Sequence, residues 1–233
     1  MSKIILIETS TAACSVAICS EGRILAHRES ATARDQAART APFVKEVLDE
    51  CGLTTADCDA VCVSAGPGSY TGLRVGVSSA KGLCFAADKP LIAVGTLDIL
   101  AYQAIRDHLL PQGCKYIVPM IDARRMEVYA EIFDENINKI EDTKAMIIDE
   151  NSFSEYKSEH EVWLFGDGAD KCAELFANDN RINVIKDFYC SAKYMDKLAQ
   201  QKLENKDFVD VAYFEPFYLK DFVPGIPTVK GLR

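Results

Sequence analysis

The chain has 233 residues, 48% of them hydrophobic and 26% charged, with 26 basic against 35 acidic side chains and a formal charge of −9. This ordinary globular composition suits one large domain or two small ones. The acidic balance excludes a broad autonomous nucleic-acid surface, though not a small basic patch or a basic partner. The opening MSKIILIETS has four consecutive apolar residues, too few for a signal-peptide core, and no run approaches transmembrane length. Nine cysteines include no C-x-x-C pair, and Cys14, Cys19, Cys62 and Cys84 sit inside apolar runs. That is the pattern of small core hydrophobes in a reducing compartment, so a cytoplasmic protein without membrane contact is expected.

In chain order, Lys3 to Ile7 is an apolar strand ending on Glu8, and Thr9-Ser10-Thr11 turn the chain. Ala13 to Ser20 and Arg23 to Ser30 read as strands joined by a tight Glu21-Gly22 turn. Asp35 to Cys51 has helical periodicity, with Pro42 inside it predicting a kink or a late start, and Gly52 as C-cap. Val61 to Val63 is a short buried strand, Ala65 to Ser69 a glycine-proline loop, and a helix follows from near Thr71 to Asp88. A strand at Leu91 to Val94 and a helix from about Leu97 to His108, started by Gly95-Thr96, complete the first half.

The second half restarts the plan. Lys115 to Ile121 is a strand ending on Asp122, Ala123-Arg124-Arg125 turn the chain, and strands are expected at 126–133 and 139–148. A strand at Val162 to Phe165 leads into Gly166-Asp167-Gly168 and a helix over about 169–177, then a strand at 182–185 and a helix over 191–203. Glu8 corresponds to Asp122, and the Gly66 loop to the Gly166 loop, at separations of 58 and 44 positions. The reading is a duplicated α/β unit with its acidic strand ends facing across a cleft. The expected units are residues 1–110, 111–210, and an extended tail over 211–233.

The glycine loop is neither of the familiar nucleotide motifs. Five residues separate Gly66 from Gly72, Leu73 stands where a phosphate-binding Lys belongs, and no third glycine completes a dinucleotide fingerprint. What remains is either an anion site of backbone N–H groups with the Ser69 or Thr71 hydroxyl, or a tight turn capped by one of those hydroxyls. Glu8 and Asp122 could hold a metal–nucleotide pair from two sides, or each could serve its own turn. Arg124 and Arg125 beside Asp122 favour an anion or an ion pair over a bare cation. The three histidines, His27, His108 and His160, form no H-x-x-x-H, and no G-x-S-x-G elbow is present.

The helix behind the loop is the stronger signal. At 100° per residue, Arg74, Ser78, Lys81, Phe85 and Asp88 fall on one narrow arc, and the rest is apolar or small. The apolar arc is about twice the 100° stripe that one sheet requires, so the helix packs on two sides. Its second cover is either this chain or another one, the latter giving a helix-pair interface with 35–51.

The blocks IILIETS (4–10) with CSVA (14–17), GPGSYTGLRVG (66–76), GTLD (95–98), IDAR (121–124) with EVY (127–129), and PFYLK (216–220) together resemble the TsaB family across the whole chain. TsaB is the YeaZ-type subunit of the bacterial machinery that makes threonylcarbamoyladenosine in tRNA. The resemblance implies an actin-like ATPase fold of two tandem RNase H-like subdomains. It also implies a non-catalytic scaffold and activator that binds the transferase TsaD through helices 35–51 and 71–88, pairs with itself as a homodimer through the same helices, is joined by TsaE, and meets tRNA only within the complex. The partner face would carry Ala37, Ala41 and Val44 with Leu73, Gly76, Val77, Ala80, Lys81 and Cys84. A vestigial nucleotide or anion site would comprise Glu8, Thr9, Ser10, Gly66, Gly68, Ser69, Thr71, Asp122 and Arg124. No cofactor is required, with ATP or ADP at the TsaD interface as the candidate, and no metal ligands are expected. Glu8 stands where relatives usually have Asp, and Gln36 about where many have His, which weakens the case for nucleotide chemistry in this subunit. The alternatives are an actin-fold ATP-binding or ATP-hydrolysing enzyme and, behind it, a glycoprotease-like peptidase.

Overall fold

The computed structural model of the protein describes residues 1–32, 35–158 and 160–220. Strands β1 (Lys3–Glu8), β2 (Cys14–Ser20) and β3 (Arg23–Ser30) form an antiparallel meander, and β4 (Ala60–Ser64) and β5 (Leu91–Val94) extend it in parallel from the other side of β1. The sheet order is β3-β2-β1-β4-β5. Helix α1 (Gln36–Cys51) joins β3 to β4, α2 (Tyr70–Ala87) joins β4 to β5, and α3 (Thr96–Arg106) leads out to β6 (Tyr116–Asp122). Strands β7 (Glu127–Phe133) and β8 (Lys139–Ile147), then β9 (Val162–Phe165) and β10 (Ile182–Ile185), rebuild the same order outward from β6. Two units of this topology in tandem make the α/β fold.

Strand periodicity explains why the inner strands read as unbroken apolar runs. Ile4 and Leu6 of β1, with Ala60 and Cys62 of β4, face a central core shared by both halves. Ile5 and Ile7, with Val61 and Val63, face a second core under α1 and α2. Alternate residues of a strand point to opposite faces, so a strand covered on both sides is apolar throughout. Helix α3 and the short helix α6 (Asp196–Glu204) contribute to the central core, which continues into β6, β7 and β9. A third core lies on the far face of the second sheet, against the single-turn helices α4 (Ser154–Lys157) and α5 (Asp167–Asp170).

Three local expectations change. The helix predicted over 169–177 is only the turn Asp167–Asp170, continued by turns with three-residue hydrogen bonds such as Cys172 N to Ala169 O. Its acids serve neighbouring backbone instead: Asp167 Oδ1 accepts from Asp122 N at 2.9 Å and Asp170 Oδ1 from Asp187 N at 3.1 Å. The helix predicted over 191–203 starts later, at Asp196, after a 3-10 turn at Ala192–Tyr194. Pro42 lies inside α1, which nevertheless begins at Gln36. All nine cysteines are unpaired, and eight are buried.

Residues 209–220 form a strap across the first half; 221–233 of the expected tail lie outside the described residues. Val209 pairs with Leu91 beside β5, and Val209, Val211 and Phe214 pack into the core under α2. Lys81 Nζ donates to Ala212 O at 3.0 Å, and Phe217 N donates to Ala65 O at 2.7 Å. The wide apolar arc of α2 is thus covered by its sheet, by α1 and by this strap.

Candidate functional site

The first acidic strand end is closed. Glu8 is fully buried, and one of its carboxylate oxygens accepts both the N–H and the hydroxyl of Ser10 at 2.5 Å. Its other oxygen and the Ser64 hydroxyl are buried without a hydrogen-bond partner among the described residues. Burial pushes the Glu8 carboxyl above its ordinary range, against the pull of the Ser10 hydrogen bonds. The Ser64 hydroxyl and the Cys190 thiol adjoin this carboxyl and pull in the same direction as Ser10, without offsetting the burial.

The glycines serve this same turn. Ser10 O accepts from Ser69 N at 2.6 Å, and a Cβ on Gly68 would stand 2.4 Å from Ser10 O. Thr9 lies flat on the side of α2: its hydroxyl donates to Gly72 O at 2.8 Å. A Cβ on Gly72 would stand 2.0 Å from Thr9 O, and one on Gly76 would stand 2.2 Å from Thr9 Oγ1. Ser69 caps α2 by accepting from Gly72 N at 3.3 Å. Two N–H groups that the sequence offered to an anion are therefore taken by the chain itself, while the Thr71 residue is exposed on the first turn. Gln36 helps hold the turn, donating to Thr11 O at 2.7 Å from a buried position.

The second acidic strand end is open. Asp122 is exposed and ion-paired with Lys171, and it accepts from Arg124 N at 2.8 Å. Arg124 and Arg125 follow in left-handed backbone, with φ of 73° and 53°, both exposed. Asp167 beneath them is pushed up to about 6, first by burial and further by Asp122 and Asp170. Gly166 has φ of 100°, matching 105° at Gly66, and each begins a loop after the corresponding strand. Among the described residues, no three His, Cys, Asp or Glu side chains converge to hold a metal ion.

Between the halves lies a cavity of about 230 Å³ lined by Gly66, Pro67 and Gly95 from the first half, Glu131, Lys139 and Thr143 from the second, and Phe217 of the strap. Glu131 is 2% exposed; Lys139 Nζ lies 2.7 Å from it and 3.1 Å from Asp98, and the Thr143 hydroxyl donates to it at 3.1 Å. The sequence reading missed this cluster. Its available signal was an acid at an inward position of the apolar β7.

The residues expected to face a partner divide in two. Ala37 and Ala41 are exposed on α1 and Lys81 is half-buried against the strap, whereas Val44, Leu73, Gly76, Val77, Ala80 and Cys84 are buried in the chain's own core. The exposed strip of α2 is instead Thr71, Arg74, Ser78, Gly82, Phe85 and Ala86, with Phe85 87% exposed.

The family described as "TsaD: tRNA N6-adenosine threonylcarbamoyltransferase" matches residues 29–223. The chain is 32% identical to the tRNA threonylcarbamoyladenosine biosynthesis protein TsaB of Escherichia coli, over 95% of this chain and 96% of that protein. It is 33% identical to the Bacillus subtilis protein of the same name over 56% of this chain and 54% of that one. A crystal structure of a Pseudomonas aeruginosa protein with similarity to the peptidase YEAZ superposes with a TM-score of 0.81 at 28% identity, covering 94% of this chain and all of that one.

Proposed function

The chain belongs to the TsaB family, and from that membership we propose that it is a non-catalytic partner subunit in the biosynthesis of threonylcarbamoyladenosine in tRNA. Its role is to bind a TsaD-type transferase through the outer faces of α1 and α2 and hold that enzyme in an active arrangement. TsaE joins the assembly, and the isolated chain pairs with itself through the same faces. The protein works in the cytoplasm; no helix of the described residues is long and apolar enough to cross a membrane.

The observation that carries the reading is the exposed strip of α2. Small residues at Ser78, Gly82 and Ala86 surround the outward ring of Phe85, beside Ala37, Ala38 and Ala41 of the adjacent α1. Small side chains let a second helix approach closely, and an exposed aromatic supplies the anchor that interfaces favour. Closure of the first strand end supports the non-catalytic part: a buried acid bonded to its own turn is out of reach of a substrate. The test is size-exclusion of Gly82→Arg mixed with the TsaD homologue from the same cell. A Cβ at Gly82 meets nothing within 4 Å, so the variant keeps the fold, which a thermal melt verifies. Loss of the complex is expected; undiminished assembly would overturn the helix-face reading.

The cavity beside Gly66 supports a second reading, an actin-fold ATP-binding enzyme whose nucleotide sits between the halves. Calorimetry of the isolated chain with ATP and Mg²⁺ separates the two. Tight binding without a partner would favour the enzyme; binding seen only with the transferase present would assign ATP or ADP to the shared interface.

A further inference from the structure

One basic and aromatic ridge crosses both halves of this acidic protein. It starts at α2, where Arg74 lies 4.1 Å over the Tyr70 ring and its Nε donates to the Tyr218 hydroxyl at 3.4 Å. The Tyr70 and Tyr218 rings pack at a tilt of 38° with their centroids 4.9 Å apart. Two residues along the strap, Lys220 ion-pairs with Glu127 at the foot of the β6–β7 hairpin. Lys171 reaches the same foot, donating to Glu127 O at 2.5 Å. The hairpin tip holds Arg124 and Arg125 outward, and among the described residues no carboxylate side chain pairs with either. Five cations thus run along the ridge: Lys171 and Lys220 are held in ion pairs, while Arg74, Arg124 and Arg125 have no carboxylate partner among the described residues, beside Asp122, Glu127, Glu215 and the Asp167–Asp170 turn.

We propose that this ridge contacts the phosphate backbone of tRNA, with the Arg124–Arg125 tip supplying the principal charges. The proposal rests on the tRNA-modification role proposed above. Arginines that project from a hairpin tip with no carboxylate partner among the described residues suit phosphate recognition. The acidic remainder of the surface repels polyanions, so affinity of the chain alone is low and the contact acts within the assembled complex.

The experiment measures binding of an unmodified tRNA transcript, carrying adenosine beside its anticodon, to the complex with its TsaD homologue over a salt series. The wild type is compared with Arg124→Glu/Arg125→Glu and with Arg124→Lys/Arg125→Lys. Assembly of each complex is checked first by size-exclusion. The charge reversal is expected to assemble normally, to weaken tRNA binding about tenfold or more at low salt, and to lower the salt slope by about 2. The Lys variant, which keeps both charges, recovers most of the affinity. Unchanged affinity and slope in an intact complex would overturn the ridge and leave the proposed function standing. A reversal that abolishes assembly while the Lys variant restores it would make the tip a protein contact, and also overturns the proposal. Failure of the wild-type chain to join any TsaD complex would sink the functional reading itself.

Discussion

The two acidic strand ends occupy the same place in two copies of one topology, yet they are built oppositely. At the end of β1, Glu8 is fully buried, and the turn after it is pressed against the glycine-bearing side of α2. At the end of β6, Asp122 is exposed, paired with Lys171, and followed by two outward arginines. The difference lies in what each turn meets. The first faces a long helix with glycine at both contact positions, so backbone can approach backbone. The second faces the single turn α5, which leaves its tip in water. In one half a site-like turn has become a packing element; in the other it remains a surface.

The sharpest way to break this contrast is at the helix. Gly72→Ala places a Cβ 2.0 Å from Thr9 O, backbone that cannot step aside, so a loss of about 3 kcal/mol or more is expected in denaturant titration. Near-wild-type stability would show that the Thr9 contact is not close. A pair of truncations comes next. Glu8→Ala leaves the buried Ser10 donors without an acceptor and opens a small void, a cost of about 2–3 kcal/mol, whereas Asp122→Ala removes an exposed pair and costs about 0.5 kcal/mol or less. Equal losses would erase the distinction.

The smallest effect concerns pH. Asp167 is held near 6 by burial, above the ordinary aspartate value, so the folded state binds more protons than the unfolded chain in the interval below 6. Its contribution therefore favours folding at low pH and is lost as pH rises through about 6. Asp167→Asn is expected to flatten stability between about pH 4 and 6 and to raise the melting midpoint at pH 7 by a degree or a few, because an amide still accepts from Asp122 N. An unchanged pH profile counts against the shifted acid.

Much of this fold was readable from residue pattern. Inner strands buried on both faces leave unbroken apolar runs, and the Gly66 and Gly166 loops mark the repeat because both require left-handed backbone. The site was less readable. Periodicity told that α2 is covered on two sides, but with small residues nearly all round it could not say which side holds the sheet. The resemblance points to Leu73, Val77, Ala80 and Cys84 as a partner face, whereas they lie in the chain's own core. For the same reason Gly76→Arg or Ala80→Glu would damage the chain's own packing and could not report on an interface. The reason for Gly72 and Gly76 is a contact with Thr9, more than sixty positions away, and no local pattern encodes it. Nor does one encode the strap, whose covering of α2 answers what the sequence left between this chain and another.

That strap, with α6, has a consequence for synthesis. The first sheet receives part of its cover from residues 196–217, which are synthesised only after the whole second sheet. The leading half cannot complete its packing vectorially, one unit before the next begins. Part of its apolar surface stays open until those residues have emerged, and closure then depends on contacts of very large sequence separation, the kind that slows folding and lengthens exposure to chaperones and proteases.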